Sequence, residues 1–244
     1  MFLHLLRTSE FGDLAKLCSP SLFSVLSASA VARSVKTLMA SRSADIHAAI
    51  CARQGVLHAR DRVRIVSALP QSSAAPSEAR AREDAGSSLL RIYFRQLLVS
   101  DDALLDMRKN AFAFSDGATT WAPKPLSVTW QPAFIGGLRD TYRGFYGGDD
   151  ARFRAGLAAL DLASAESLFR EHFGADPGAV HFSTKDFTHT FSLVFEACAR
   201  AQAKLSADFL PFGFLLGALY QSLETLDVTL DVRAAFEAVV AEAS

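Results

Sequence analysis

Between positions 21 and 41 apolar residues recur at mostly helical intervals, through Leu22, Val25, Leu26, Val31, Val35 and Leu38, with Pro20 near the start. A second helical pattern runs over 44–69 through Ile46, Ala49, Ile50, Val56, Leu57, Val63 and Val66. It is broken at Gly55 and ends before Pro70. Residues 71–88, "QSSAAPSEARAREDAGSS", contain no large apolar side chain and are rich in Ser, Ala, Pro and Gly, the composition of a linker or a mobile loop. The apolar stripe resumes at Leu89 with Leu90, Tyr93, Phe94, Leu97 and Leu98. The expected division is therefore an N-terminal helical region (1–70), a connecting stretch (71–88) and a C-terminal helical domain (89–244).

The period changes after position 111. Phe112 and Phe114 alternate with small residues, a Ser-Asp-Gly turn follows, and the β-prone stretches around Thr119–Trp121 and "LSVTW" come next, bracketed by prolines. This predicts one small β-hairpin near 112–130, centred on Asp116-Gly117, as the β part of an otherwise helical chain.

Helical spacing then returns. One helix is expected over about 132–146, stopped by Gly147-Gly148. Asp149 or Asp150 would cap the next, which carries Phe153, Leu157 and Leu160. Ser164 would cap a further one, bearing Leu168, Phe169 and Phe173 and ending at Gly174. After the turn "ADPG", residues 184–204 carry Phe187, Phe191, Val194, Phe195 and Cys198 on one face. Residues 207–226 are apolar all round, as a buried central helix requires, and Asp231 caps a last helix. The fold class is mainly α, bundle-like, with one hairpin.

Composition narrows the function more than it names it. A net charge of −1 supplies no general field for DNA, RNA or an anionic membrane, and nucleic-acid binding is not expected. Arg53, Arg60, Arg62 and Arg64 are interrupted by Asp61 and suit a solvated helix face. Nineteen phenylalanines against four tyrosines suit a core rich in aromatic volume. Cys18, Cys51 and Cys198 are far apart and lack zinc spacing, so each is expected to be a small buried hydrophobe in a reducing compartment. The first residues hold too few apolar positions for a secretory segment. The stretch "FLPFGFLLGALY" falls short of the roughly 18 apolar residues of a membrane span. A cytoplasmic location is expected, with peripheral membrane contact left open.

Catalytic signatures are thin. His172, His181 and His189 lie near Asp176 and Asp186 without the i,i+4 spacing of paired metal ligands. "GGLRDTYRGFYGGDD" lacks the Gly-Lys-Ser/Thr ending of a phosphate loop, and no GxSxG elbow is present. Tyr142, Phe145, Tyr146 and Trp130 are expected to form an aromatic core cluster. The remaining candidate is the acidic strip "SDDALLDMRKNAFAFSDG". Asp101 and Asp102 could cap a helix or turn, while Asp106, Asn110 and Asp116 offer the hard oxygens that Mg²⁺ prefers.

This strip carries a resemblance. The helix ending in "RQLLV", the strip "LLDMRKN", the strand and turn "FAFSDG", and the tail "GLRDTYRGFYGGDDARFRAGLAALDL" resemble a degenerate C-terminal portion of the UbiB/AarF-like atypical kinase family. In that family an apolar helix leads to a HxDxHxxN catalytic strip, a hairpin with DFG, and helices. Asp106 matches the strip's aspartate, and Asn110 resembles its asparagine one residue early. Both histidines are missing, "PLSVTWQP" stands in place of DFG, and no KxGQ signature precedes them. The resemblance implies a pseudokinase-like relic with Asp106 and Asn110 as candidate metal contacts.

With no catalytic residue assigned, the expected function is a non-catalytic helical binding or regulatory protein without a cofactor, acting on a protein partner or an apolar small molecule. Two alternatives follow from the same residues. One is a phosphotransferase using Mg²⁺ and ATP on a small molecule or lipid. The other is an apolar-ligand or peripheral membrane carrier using the Phe-rich helices of 184–226.

Overall fold

A computed structural model describes residues 21–70, 76–115, 117–173 and 179–243. The expectations placed on Cys18, Pro20, residues 71–75, Asp116, Gly174, the "ADPG" turn and Asp176 lie outside these residues.

The described chain is mainly α-helical, with small sheets of two or three strands. It begins with α1 (Leu22–Val25), α2 (Ala28–Ala40) and α3 (Ala44–His58), followed by β1 (Val63–Ile65) and the long α4 (Ala79–Leu98). Then come β2 (Asp102–Leu104), β3 (Phe112–Ser115), β4 (Ala118–Trp121) and β5 (Ser127–Thr129). The later elements are α5 (Pro132–Gly147), α6 (Asp150–Ala159), α7 (Glu166–Phe173), β6 (Ala179–His181), α8 (Thr184–Arg200), α9 (Phe209–Glu224), β7 (Thr229–Asp231) and α10 (Val232–Ala243).

Two compact units are assembled from interleaved segments. Of the described residues, the first takes 21–37, 130–173 and 184–217; the second takes 38–70, 76–115, 117–129, 179–183 and 218–243. In the first unit, α5 and α6 form a helical hairpin. Pro132 opens α5, and Gly148 ends it at φ 71°, a left-handed conformation that glycine adopts without steric cost. Asp149 then caps α6 by accepting the Arg152 N–H at 2.9 Å. The two backbones meet closely. A Cβ on Gly144 would stand 2.3 Å from the Phe153 nitrogen, and one on Gly156 would stand 2.4 Å from the Thr141 nitrogen. Tyr142, Phe145 and Tyr146 gather with Phe153 and Phe173, while Trp130 joins Phe134 and Phe212 instead. The expected single aromatic cluster is thus two.

The second unit is built around α4, whose Ile92, Leu97 and neighbouring residues are fully buried. Phe94 packs edge-on against Phe236 of α10, at 5.5 Å between ring centroids. Strands β1, β4 and β3 form a three-stranded sheet in that order. The β3–β4 hairpin pairs Phe112 with Trp121 and Ser115 with Ala118, as the alternation predicts, and its Phe112 and Trp121 rings stack at 5.4 Å.

Several expectations are corrected here. The helix predicted over 44–69 runs through Gly55 and ends at His58; Val63–Ile65 instead pairs in parallel with β4, Val63 opposite Thr119. Long-range ladder bonds outweigh the weak local helical period of that segment. The stretch "LSVTW" does not extend the hairpin: β5 pairs antiparallel with β2, Ala103 opposite Val128. A further two-stranded sheet joins β6 to β7, so strands are not confined to 112–130. Ser164 lies in a 3-10 turn (Ala163–Ala165), and the following helix begins at Glu166. Asp231 caps α10 as predicted, accepting the Ala234 N–H at 2.8 Å. Of the 71–88 stretch, residues from Ala79 onward already belong to α4.

Candidate functional site

The described part of the acidic strip lies within the second unit, running through β2 and β3 with Asp106 and Asn110 between them. Its backbone is held from several sides. The Gln96 side chain, fully buried at the end of α4, accepts the Leu104 N–H at 2.7 Å. The Leu105 N–H donates to the Leu126 carbonyl at 2.9 Å, the Trp121 indole donates to the Asp106 carbonyl at 2.9 Å, and the Ser222 hydroxyl donates to the Met107 carbonyl at 2.6 Å.

The Asp106 side chain is equally engaged. It is 1% exposed. Arg108 donates from Nε to Oδ1 at 2.6 Å and from a terminal nitrogen to Oδ2 at 3.0 Å, a two-pronged pairing that fixes the carboxylate plane. The Lys124 N–H adds a third bond to Oδ2 at 2.9 Å. Asn110 is exposed in the 3-10 turn Lys109–Ala111, and among the described residues no hydrogen bond joins it to Asp106. The two predicted metal contacts therefore occupy different environments, one sealed and one on the surface.

Asp101 is exposed, and Asp102 opens β2 rather than a helix. Asp102 receives Arg53 at 2.6 Å and the Thr129 hydroxyl at 2.5 Å, tying α3 and β5 to the strand. Beside the strip, His47 and Cys51 lie one turn apart on α3, with Nε2 3.4 Å from Sγ. Burial pushes the His47 imidazole below its ordinary value, against smaller opposing effects of the Pro123 backbone and Asp106. Burial also pushes the Cys51 thiol up, so the pair is a neutral thiol against a neutral ring at pH 7.

A buried ionic cluster stands behind the strip, unannounced by any motif. Arg95 of α4 meets Asp61 at 2.6 Å and Glu242 of α10 at 2.5 Å. His58 is fully buried, shares a 3.1 Å contact with Gln54 and sits edge-on to Trp121. Burial, helped by the Arg95 charge, pushes its imidazole down to about 3. The only sequence signal for this cluster is an arginine, Arg95, inside the apolar run of α4.

The three C-terminal histidines are scattered in character. His172 packs edge-on to Phe191, and burial pushes it down to about 4. His181 is exposed, 3.3 Å from Asp227, and His189 is exposed on α8. Among the described residues no three His, Cys, Asp or Glu side chains stand together as a metal-ligand set. No described helix is long and apolar enough to cross a membrane.

The second unit also contains a groove of about 560 Å³ between the first half of α4 and the β3–β4 hairpin. Asp61, Glu78, Asp84, Arg91, Phe114 and Thr119 border it. From α4 the small residues Ala81, Ala85 and Ser88 line it beside the charged Asp84 and Arg91. The Ser88 and Thr119 hydroxyls close on each other at 2.7 Å.

The chain matches no protein-family model and no curated protein.

Proposed function

We propose that this chain is a non-catalytic binding or regulatory protein on a degenerate kinase-like scaffold of the UbiB/AarF type. The observation that carries the reading is the engagement of Asp106. A carboxylate that holds Mg²⁺ against phosphates needs an oxygen free to reach the ion. Here both oxygens are taken by Arg108 and the Lys124 N–H inside the protein. The order of elements supports the scaffold: a long helix ending in "RQLLV", a short strand, the strip, a hairpin and a helical tail. A cytoplasmic setting accompanies this reading, supported by the free thiols of Cys51 and Cys198.

Thermal unfolding with ATP or ADP at about a millimolar, with and without Mg²⁺, tests it. A site filled to roughly a hundred times its dissociation constant adds about 2.7 kcal/mol, a shift of a few degrees for a chain of this size. The expected result is no Mg²⁺-dependent rise. A rise that disappears in Asn110→Ala, a surface change that spares the fold, would establish a working nucleotide site and favour the phosphotransferase reading.

A further inference from the structure

The groove beside α4 carries charges that have no ion-pair partner among the described residues. Ser77, Ala81, Asp84, Ser88 and Arg91 follow one another at three- and four-residue steps, so they form a single stripe along the helix facing the cavity. Asp61 also borders the groove, but its carboxylate is committed to Arg95 at 2.6 Å. Asp84, Glu78 and Arg91 have no ion-pair partner among the described residues, and the Arg91 Nε has no hydrogen-bond partner. Arg91 is half-buried, whereas Asp84 and Glu78 are exposed. A half-buried guanidinium whose Nε has no hydrogen-bond partner among the described residues is costly to keep dry and favours an anionic group brought by a ligand.

The spacing of these charges defines a ligand. Asp84 and Arg91 are seven residues apart, which at about 1.5 Å per residue is roughly 10 Å along the axis and about two full turns. The negative group lies toward the helix N-terminus and the positive group farther along. Between them lie the hydroxyls of Ser88 and Thr119, with the Phe114 ring at the border. A molecule matching this arrangement has an ammonium and a carboxylate about 10 Å apart with polar groups between them. An extended chain of about three residues spans that distance at 3.3–3.6 Å per residue. A cavity of about 560 Å³ accommodates it.

We infer that the groove between α4 and the β3–β4 hairpin binds short zwitterionic peptides of about three residues, the free amino end toward Asp84 and Glu78 and the free carboxylate at Arg91. This inference rests on the binding reading above and gives it a ligand class.

The experiment is calorimetric titration of the full chain with trialanine at low salt, beside N-acetyl-trialanine and trialanine amide. Saturable binding of trialanine is expected, and each capped form should bind at least about tenfold more weakly, since each loses a charge-assisted contact. Arg91→Gln should weaken trialanine to the level of its amide and leave the amide unchanged. Asp84→Asn should do the same with respect to the acetylated form. Asp84 is exposed and Arg91 half-buried, and an unchanged unfolding temperature verifies the fold of each variant. Absence of binding up to about 10 mM, or binding indifferent to both caps and both variants, overturns the inference and leaves the non-catalytic reading intact. Cleavage or modification of bound trialanine would support the site and overturn the non-catalytic reading instead.

Discussion

Replacing Arg95 by Met probes the buried cluster that links α4, the turn before β1, and α10. Among the described residues Arg95 is the cation that pairs with both Asp61 and Glu242, and its side chain is 4% exposed. The two carboxylates have unequal access to water: 3% of the Asp61 side chain is exposed, against 39% for Glu242. On loss of the guanidinium Glu242 rehydrates, so its share is at most about 1 kcal/mol. The Asp61 side chain is almost fully buried, and an uncompensated buried charge costs about 3–5 kcal/mol. The expected loss is therefore about 3–5 kcal/mol at pH 7. Urea unfolding followed by fluorescence measures it in a Trp130→Phe background, where Trp121, fully buried in the second unit, is the only indole. Adding Asp61→Asn should recover most of the loss, because it removes the stranded charge. A single-variant loss under about 1 kcal/mol, or a double variant no more stable than the single, would refute the assignment of this cluster as a coupled buried pair.

The remaining predictions concern His58 and the α5–α6 crossing. His58 has a folded pKa of about 3 against an ordinary 6.5, so between those values the unfolded chain binds the proton and the folded chain does not. Its contribution to stability is present above pH 6.5 and is lost as pH falls toward 3, at about 1.4 kcal/mol per pH unit. His58→Gln should flatten the stability profile between pH 6.5 and 4 relative to the unsubstituted protein, and parallel profiles would disprove the burial argument. Gly156→Ala places a methyl 2.4 Å from the Thr141 nitrogen and should cost about 1–3 kcal/mol or more in a circular-dichroism melt. Gly136→Ala, with nothing within 4 Å of its Cβ, should be neutral or stabilising by up to about 1 kcal/mol; equal effects at the two positions would argue against the close crossing.

Local rules made part of the candidate site legible. Asp106 was marked by residue type, and its chelating partner Arg108 stands two residues away in the same "LLDMRKN" phrase. The third bond, from the Lys124 N–H, depends on how the chain returns after β4, and no spacing in the strip announces it. The glycines of 136–148 serve two purposes. Gly148 is a helix stop, as a left-handed residue near a helix end implies, but Gly137, Thr141 and Gly144 form a small-residue stripe that admits α6. Their i, i+4, i+7 spacing was the available signal.

Through interactions a few residues long, the sequence by itself determined the amphipathic helices, an acidic cap at Asp149 or Asp150, the Asp231 cap and the β3–β4 hairpin. Such interactions act over three or four residues of helix or across one turn, so they survive without knowledge of the rest of the chain. Tertiary structure alone decided that Val63–Ile65 is a strand, that β5 turns back to β2, and that Arg95 meets Asp61 and Glu242 at sequence separations of 34 and 147. Ladder hydrogen bonds and buried ion pairs take their free energy from a partner brought in from far along the chain, and the local pattern at either end has no record of which partner arrives.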